Sequence, residues 1–168
     1  MTFANPAGQA KETGSAYIKL LLDTLGNQDP MPIHESTPSK VAQATAGLDA
    51  ATLSRPEKPG KWSIIGVIQH LADSELVYGY RIRMIVSHPT PDIQGFDQDL
   101  WANELDYQSR DAREALEEFR IQRAANVRLL RSFSRQKLER FGNHAERGRE
   151  IVAQMMKVYA AQDLVHLK

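Results

Sequence analysis

Apolar residues recur along this chain at steps of three and four, the spacing of one helix face. Tyr17, Leu20, Leu21 and Leu25 open the pattern, and Gly26-Asn27 closes it as a C-terminal cap would. Asp29-Pro30-Met31-Pro32 predicts a loop, because two prolines so close interrupt helix and ladder alike. Thr37-Pro38 predicts an N-cap with proline at the first helical position, and a helix reaching about Leu53. Residues 55–60, with two prolines and a glycine, predict a connector. Ser63 then suits an N-cap, and Ile64, Val67, Ile68, Leu71, Tyr78, Ile82 and Ile85 predict a long helix to about Ser87. Residues 92–110 predict a long connection with a short turn over 97–104. A third long helix starts near Asp111, with Leu116, Phe119, Val127, Leu130 and Phe133 as its buried stripe. Residues 142–148 predict a loop. The last helix starts near Gly148 and carries the seam Val152, Met155, Tyr159, Gln162, His166.

Four substantial helices and no convincing strand predict an all-α fold, a four-helix bundle with one or two long crossover connections. Residues 1–168 are expected to form one domain, with 1–12 as a loose N-terminal arm. Composition agrees: 42% of residues are hydrophobic and 25% charged, as in ordinary globular domains. A chain of 168 residues buries roughly two-thirds of its unfolded surface. The absence of cysteine excludes disulfides and thiolate metal ligands. With 21 basic and 21 acidic residues, the charge balance gives no support for nucleic-acid binding. No secretory leader is evident at the N-terminus, and no apolar stretch approaches the roughly 20 residues that span a bilayer. A cytoplasmic protein without a membrane partner is expected.

Bundles build ligand and metal sites from facing core positions. His70 lies beside Val67 and Leu71 on the inner side of the long central helix, and His166 lies on the seam of the last. Two inward imidazoles on separate helices can meet in the core and hold zinc, nickel or iron. Against this, a lone histidine on a helix face is more often a hydrogen-bonded core residue than a ligand. Asp73, one turn after His70, is placed either to orient the imidazole as an acceptor or to stay in solvent. Arg123 falls on the apolar stripe of the third helix, either snorkelling past the core or anchoring an anion. Tyr78, Tyr159, Met155 and Met156 are expected to pack. The chain has no nucleophile elbow, phosphate loop or paired-carboxylate motif.

The segment KWSIIGVIQHLADSELVYGYRIR resembles the signature helix of the DinB-like, YfiT-like family of four-helix-bundle proteins. FDQDLWA at 96–102, Arg123, GNHAERG at 142–148 and YAAQDLVHL near the end resemble further blocks of that family. The resemblance implies a metal-dependent hydrolase, or an S-transferase using a low-molecular-weight thiol, acting on a small-molecule substrate and assembled as a homodimer. It implies a three-histidine centre for a divalent transition metal, zinc or nickel first. Carried across, His70 matches the first ligand and His166 the third, while Gln162 stands where the second histidine is expected. Asp73 would orient a ligand and Arg123 would hold an anionic substrate group. An amide oxygen suits transition metals less well than imidazole. Three outcomes stay open: a looser metal site of His70, Gln162 and His166; replacement of the missing ligand by His144; or a metal-free small-ligand-binding or stress-response module.

Overall fold

The computed structural model describes residues 14–167, so the expected arm at 1–12 lies outside the described residues. In chain order the elements are α1 (Gly14–Leu25), α2 (Pro30–Thr45), α3 (Ala50–Ser54), α4 (Ile64–Ser87), β1 (Asp92–Ile93) and α5 (Gln98–Glu104). A 3-10 turn (Tyr107–Ser109) follows, then α6 (Ala112–Arg131), α7 (Arg135–Leu138), β2 (Phe141–His144), β3 (Gly148–Ile151) and α8 (Val152–His166). α4 packs on α6, α6 on α2, α2 on α8, and α8 closes the ring against α4, while α1 lies along α8. This is the expected four-helix bundle. No helix among the described residues is long and apolar enough to cross a membrane.

The helix starts follow from local chemistry. Ser63 Oγ accepts from the Gly66 amide at 3.2 Å, and Asp111 caps α6 through Arg113 and Glu114. α2 begins at Pro30 rather than near Pro38. Asp29 caps it by accepting from the Met31 amide at 3.0 Å, and Pro30 and Pro32 sit in the first turn, where an N–H has no helical partner. Pro38 therefore lies inside the helix. It cannot donate to the His34 carbonyl four residues earlier. Arg123 Nη1 donates to that carbonyl instead, at 3.1 Å.

The second departure is a small sheet, ordered β1-β2-β3. β2 and β3 form a hairpin with Phe141 opposite Ile151 and His144 opposite Gly148, and β1 joins β2 in parallel. The last helix consequently starts at Val152, not at Gly148. Gly142 makes the join possible, since a Cβ there would lie 2.9 Å from the Pro91 carbonyl oxygen and 2.8 Å from Ile93. The sheet fixes the connection after α4 at the end of the bundle where α8 begins.

Between α4, α6 and α8 the core is partly ionic. Arg123, 3% exposed, donates from Nε to Glu75 at 2.7 Å and from Nη1 and Nη2 to Asp163 at 2.6 and 3.0 Å. Asn126 donates to Glu75 Oε1 at 2.9 Å, and His34 Nε2 meets the Met156 carbonyl at 2.9 Å. Burial works against the Arg123 charge, but Asp163 and Glu75 outweigh it and hold the proton more firmly than usual. Beside this cluster Tyr78 of α4 stacks on Tyr159 of α8 with ring centres 4.0 Å apart.

Candidate functional site

His70 and His166 meet. Their ring centres are 5.2 Å apart with planes inclined at 63°, and both residues are 3% exposed. α4 presents His70 and α8 presents His166. Trp62 packs on the other side of His70, ring centres 4.9 Å apart. Ser74, one turn on, places its hydroxyl 3.3–3.4 Å from both ring nitrogens of His70. Burial, and secondly the neighbouring His166, press the His70 pKa well below the ordinary histidine value. The ring is therefore neutral at pH 7, the form that offers a lone pair to a metal.

His70 lines a cleft of about 400 Å³ together with Tyr17, Ser74, Arg81, Phe96, Tyr159 and Gln162. Gln162 is half-buried in its wall beside Tyr17, with its amide N–H toward the Tyr17 hydroxyl. Two larger depressions, one elsewhere and one adjoining the cleft through Ile18, Arg147 and Tyr159, contain neither histidine nor Gln162. We take the smaller cleft as the site because it alone of these joins the paired imidazole to an opening.

The donors can be tested against a metal. Two imidazoles sharing one tetrahedral ion at about 2.0–2.1 Å per nitrogen put their ring centres about 5 Å apart. The observed separation meets that condition. Among the described residues no group of three or more His, Cys, Asp or Glu side chains is gathered for a metal. Gln162 accounts for this, since the third position carries an amide. The two imidazoles fit a zinc- or nickel-class ion; Gln162 lines the same cleft and would offer a neutral oxygen, a weaker donor than a third imidazole.

The other expected site residues lie elsewhere. Asp73 accepts from the Tyr107 hydroxyl at 2.5 Å and from Gln69 at 3.4 Å, in a separate depression. It does not orient His70, because its carboxylate swings to the 3-10 turn and leaves Ser74 at the ring. Arg123 belongs to the ionic core, with four hydrogen bonds to Glu75, Asp163 and the His34 carbonyl, and does not line the cleft. His144 is 2% exposed on β2, its Nδ1 accepting from the Glu146 amide at 3.1 Å. It is not among the residues lining the cleft. Sequence reasoning passed over Ser74 and Arg81, although they fall four and eleven residues after His70, on one helix face.

Comparison with known proteins agrees with this fold. The chain is 27% identical over 112 residues to YfiT of Bacillus subtilis strain 168, whose name places it provisionally among metal-dependent hydrolases. That match covers 67% of this chain but 63% of the relative, so the chain spans less than two thirds of that protein's length. A similarly named relative from Bacillus cereus strain 03BB102 is 27% identical over 126 residues, 75% of this chain and 72% of its own length. The solved structure of Bacillus subtilis YfiT, described as "a probable metal-dependent hydrolase with an unusual four-helix bundle topology", aligns with a TM-score of 0.77. At 23% identity over 82% of this chain and 79% of that one, it shares the fold. Residues 33–168, which hold most of α2, all of α4, α6 and α8, and both paired histidines, match the DinB superfamily, and the chain belongs to it.

Proposed function

We propose that the chain is a metal-dependent hydrolase whose ion is held by His70 and His166, with Gln162 as a third, neutral donor. The observation that carries this is the meeting of two buried imidazoles, from α4 and α8, beside a cleft of small-molecule size. When bound, such an ion polarises a substrate carbonyl and lowers the pKa of water or a thiol. The protein's own residues supply the setting. Trp62 packing keeps the His70 ring from turning freely, burial keeps it unprotonated, and Tyr17 fixes the Gln162 amide. Ile18, Phe96 and Val158 give the cleft apolar wall, which lowers the local dielectric around reacting groups. The same arrangement suits a low-molecular-weight thiol as the attacking group, the transferase alternative. Dependence of turnover on added thiol separates the two. A homodimer in the cytoplasm is part of this proposal, on the family resemblance.

One observation favours a second reading, a metal-free ligand-binding module. The Gln162 amide N–H already faces the Tyr17 hydroxyl, so the side chain has a place in the cleft wall without an ion. Trp62 beside His70 provides the test. In a Trp101→Phe background, zinc titration is expected to change Trp62 emission with about one equivalent bound. His70→Ala and His166→Ala should each abolish the change and any metal-dependent ester or amide hydrolysis. Absence of any zinc response in the parent protein would discard the metal-dependent enzyme and leave the binding module.

A further inference from the structure

We infer that Arg81 anchors a carboxylate group of the substrate, at the end of the cleft away from His70. The inference rests on the cleft being the active site, and it adds the chemical class of what enters. Arg81 is 3% exposed. A guanidinium cannot shed its charge by deprotonation, so burying one is costly unless an anion compensates it. Arg123 in the same bundle shows the compensated case, with Glu75 and Asp163 against it. Arg81 has no such partner among the described residues. Its Nη2 donates to the Gln94 carbonyl at 2.5 Å, its Nη1 reaches the Tyr159 hydroxyl at 3.4 Å, and its face lies 5.8 Å from the Phe96 ring centre. All three contacts are to neutral groups.

The other charges around the cleft do not fill this gap. Arg147 is paired with Glu150 at 2.6 Å. Asp97 is exposed and caps α5 through the Asp99 and Leu100 amides. Asp99 and Glu146 line the cleft but form no ion pair with Arg81. One unpaired cation inside and three carboxylates nearer the mouth favour a ligand with a single negative charge over a dianionic phosphate. A carboxylate also matches the planar fork that a guanidinium presents.

Position adds a length. Arg81 follows His70 by eleven residues on one helix, three turns and about 16 Å along the axis. Helical side chains lean toward the N-terminus, so Arg81 leans back toward His70 along the cleft. A substrate held at Arg81 thus has its reacting group several bonds from its carboxylate.

The test uses the full chain, phenylacetate as probe and phenylacetamide as its neutral isostere, followed by thermal shift and by titration of amide chemical shifts. Phenylacetate is expected to stabilise the protein and phenylacetamide to do so much less. Arg81→Met should weaken phenylacetate binding by about tenfold or more, the scale of a charge-assisted hydrogen bond. Arg81→Lys should retain part of it. Without ligand, Arg81→Met should melt no lower than the parent, since an apolar replacement removes an uncompensated charge. A loss of about 6–12 °C in that variant, the scale of a broken buried network, would make Arg81 a scaffold residue and overturn the inference. So would equal binding of the two probes, or phenylacetate binding that Arg81→Met leaves unchanged. Repeating the titration with EDTA and in His70→Ala separates this from the metal proposal. The phenylacetate response should survive both, whereas the zinc response of Trp62 should survive Arg81→Met.

Discussion

Replacing Arg123 by methionine offers a quantitative test of the ionic core. The substitution keeps much of the volume and removes four hydrogen bonds: one to Glu75, two to Asp163 and one to the His34 carbonyl. It strands two carboxylates that are 1% and 2% exposed. Breaking one buried ion pair from one side costs about 3–5 kcal/mol, most of it the penalty of the orphaned charge. With two carboxylates sharing the one cation, the upper end, about 5 kcal/mol, is expected. Taking a urea m-value of about 2 kcal/mol/M, the unfolding midpoint should fall by about 2.5 M. Equilibrium unfolding, followed by far-ultraviolet circular dichroism and by tryptophan emission, measures this, and coincidence of the two signals checks two-state behaviour. The triple variant Arg123→Met, Glu75→Gln, Asp163→Asn removes all three charges and should recover a large part of the loss. A single-variant midpoint lowered by under about 0.5 M, roughly 1 kcal/mol, would refute the assignment of Arg123 to the scaffold. A triple variant as unstable as the single one would refute the role given to the orphaned charges.

Three further outcomes are expected. Gln162→His should tighten zinc binding by about one to two orders of magnitude, read by competition with a chelator, because imidazole replaces an amide oxygen; unchanged affinity would mean that position 162 contributes nothing to the metal. Gly79→Ala should cost about 1–3 kcal/mol in urea unfolding, since its Cβ would meet Asn126 Oδ1 at 2.5 Å and displace the side chain that bonds Glu75; a neutral result would show that α4 and α6 can separate there. Burial, then Arg123, lowers the His34 pKa, and burial, then Arg147, lowers that of His144 to about 4. A histidine with a depressed folded pKa gives stability that is full above its unfolded value near 6.5 and lost as pH falls toward the folded value. Urea midpoints should accordingly drop between pH 6.5 and about 4, less steeply in His144→Gln; an equal slope in that variant would remove His144 from the account.

The periodic stripes of α4, α6 and α8 made the bundle legible, because helices that bury one face must show it at steps of three and four. His70 and His166 were legible for the same reason, as polar residues on those stripes. Pro30 and Pro38 misled. Proline forbids a donor, not a helix, and its effect depends on whether the carbonyl one turn back finds another partner. For Pro38 that partner is Arg123, 85 residues further along the chain, beyond the reach of local pattern. FGNH and GREI lack the β-branched alternation that marks strands, although they pair with each other as a hairpin, to which β1 adds two residues from about 50 positions earlier. Arg123 was recognised as an inward charge, but nothing in the spacing assigned Glu75 and Asp163 to it. Arg81 met the same criterion of a charge beside apolar stripe residues, and only the missing counter-ion sets it apart.

The parallel join of β1 to β2 bridges residues 92 and 143. It rests on the Asn143 amide donating to the Pro91 carbonyl at 2.9 Å and the Ala145 amide donating to the Ile93 carbonyl at 3.0 Å. The Arg81 bond to the Gln94 carbonyl is a third tie along the same strap. Phe96 and Asp97, which line the cleft, lie just beyond it. Two backbone bonds and one core anchor, Ile93, hold the strap, against the continuous bonding of the long helices, so its amides are expected to open at lower energy than theirs. In deuterium exchange the Asn143 and Ala145 amides should trade hydrogen sooner than those of α4 and α8. A ligand that clamps Arg81 would slow these two amides first, giving a record of cleft occupancy that needs no turnover assay.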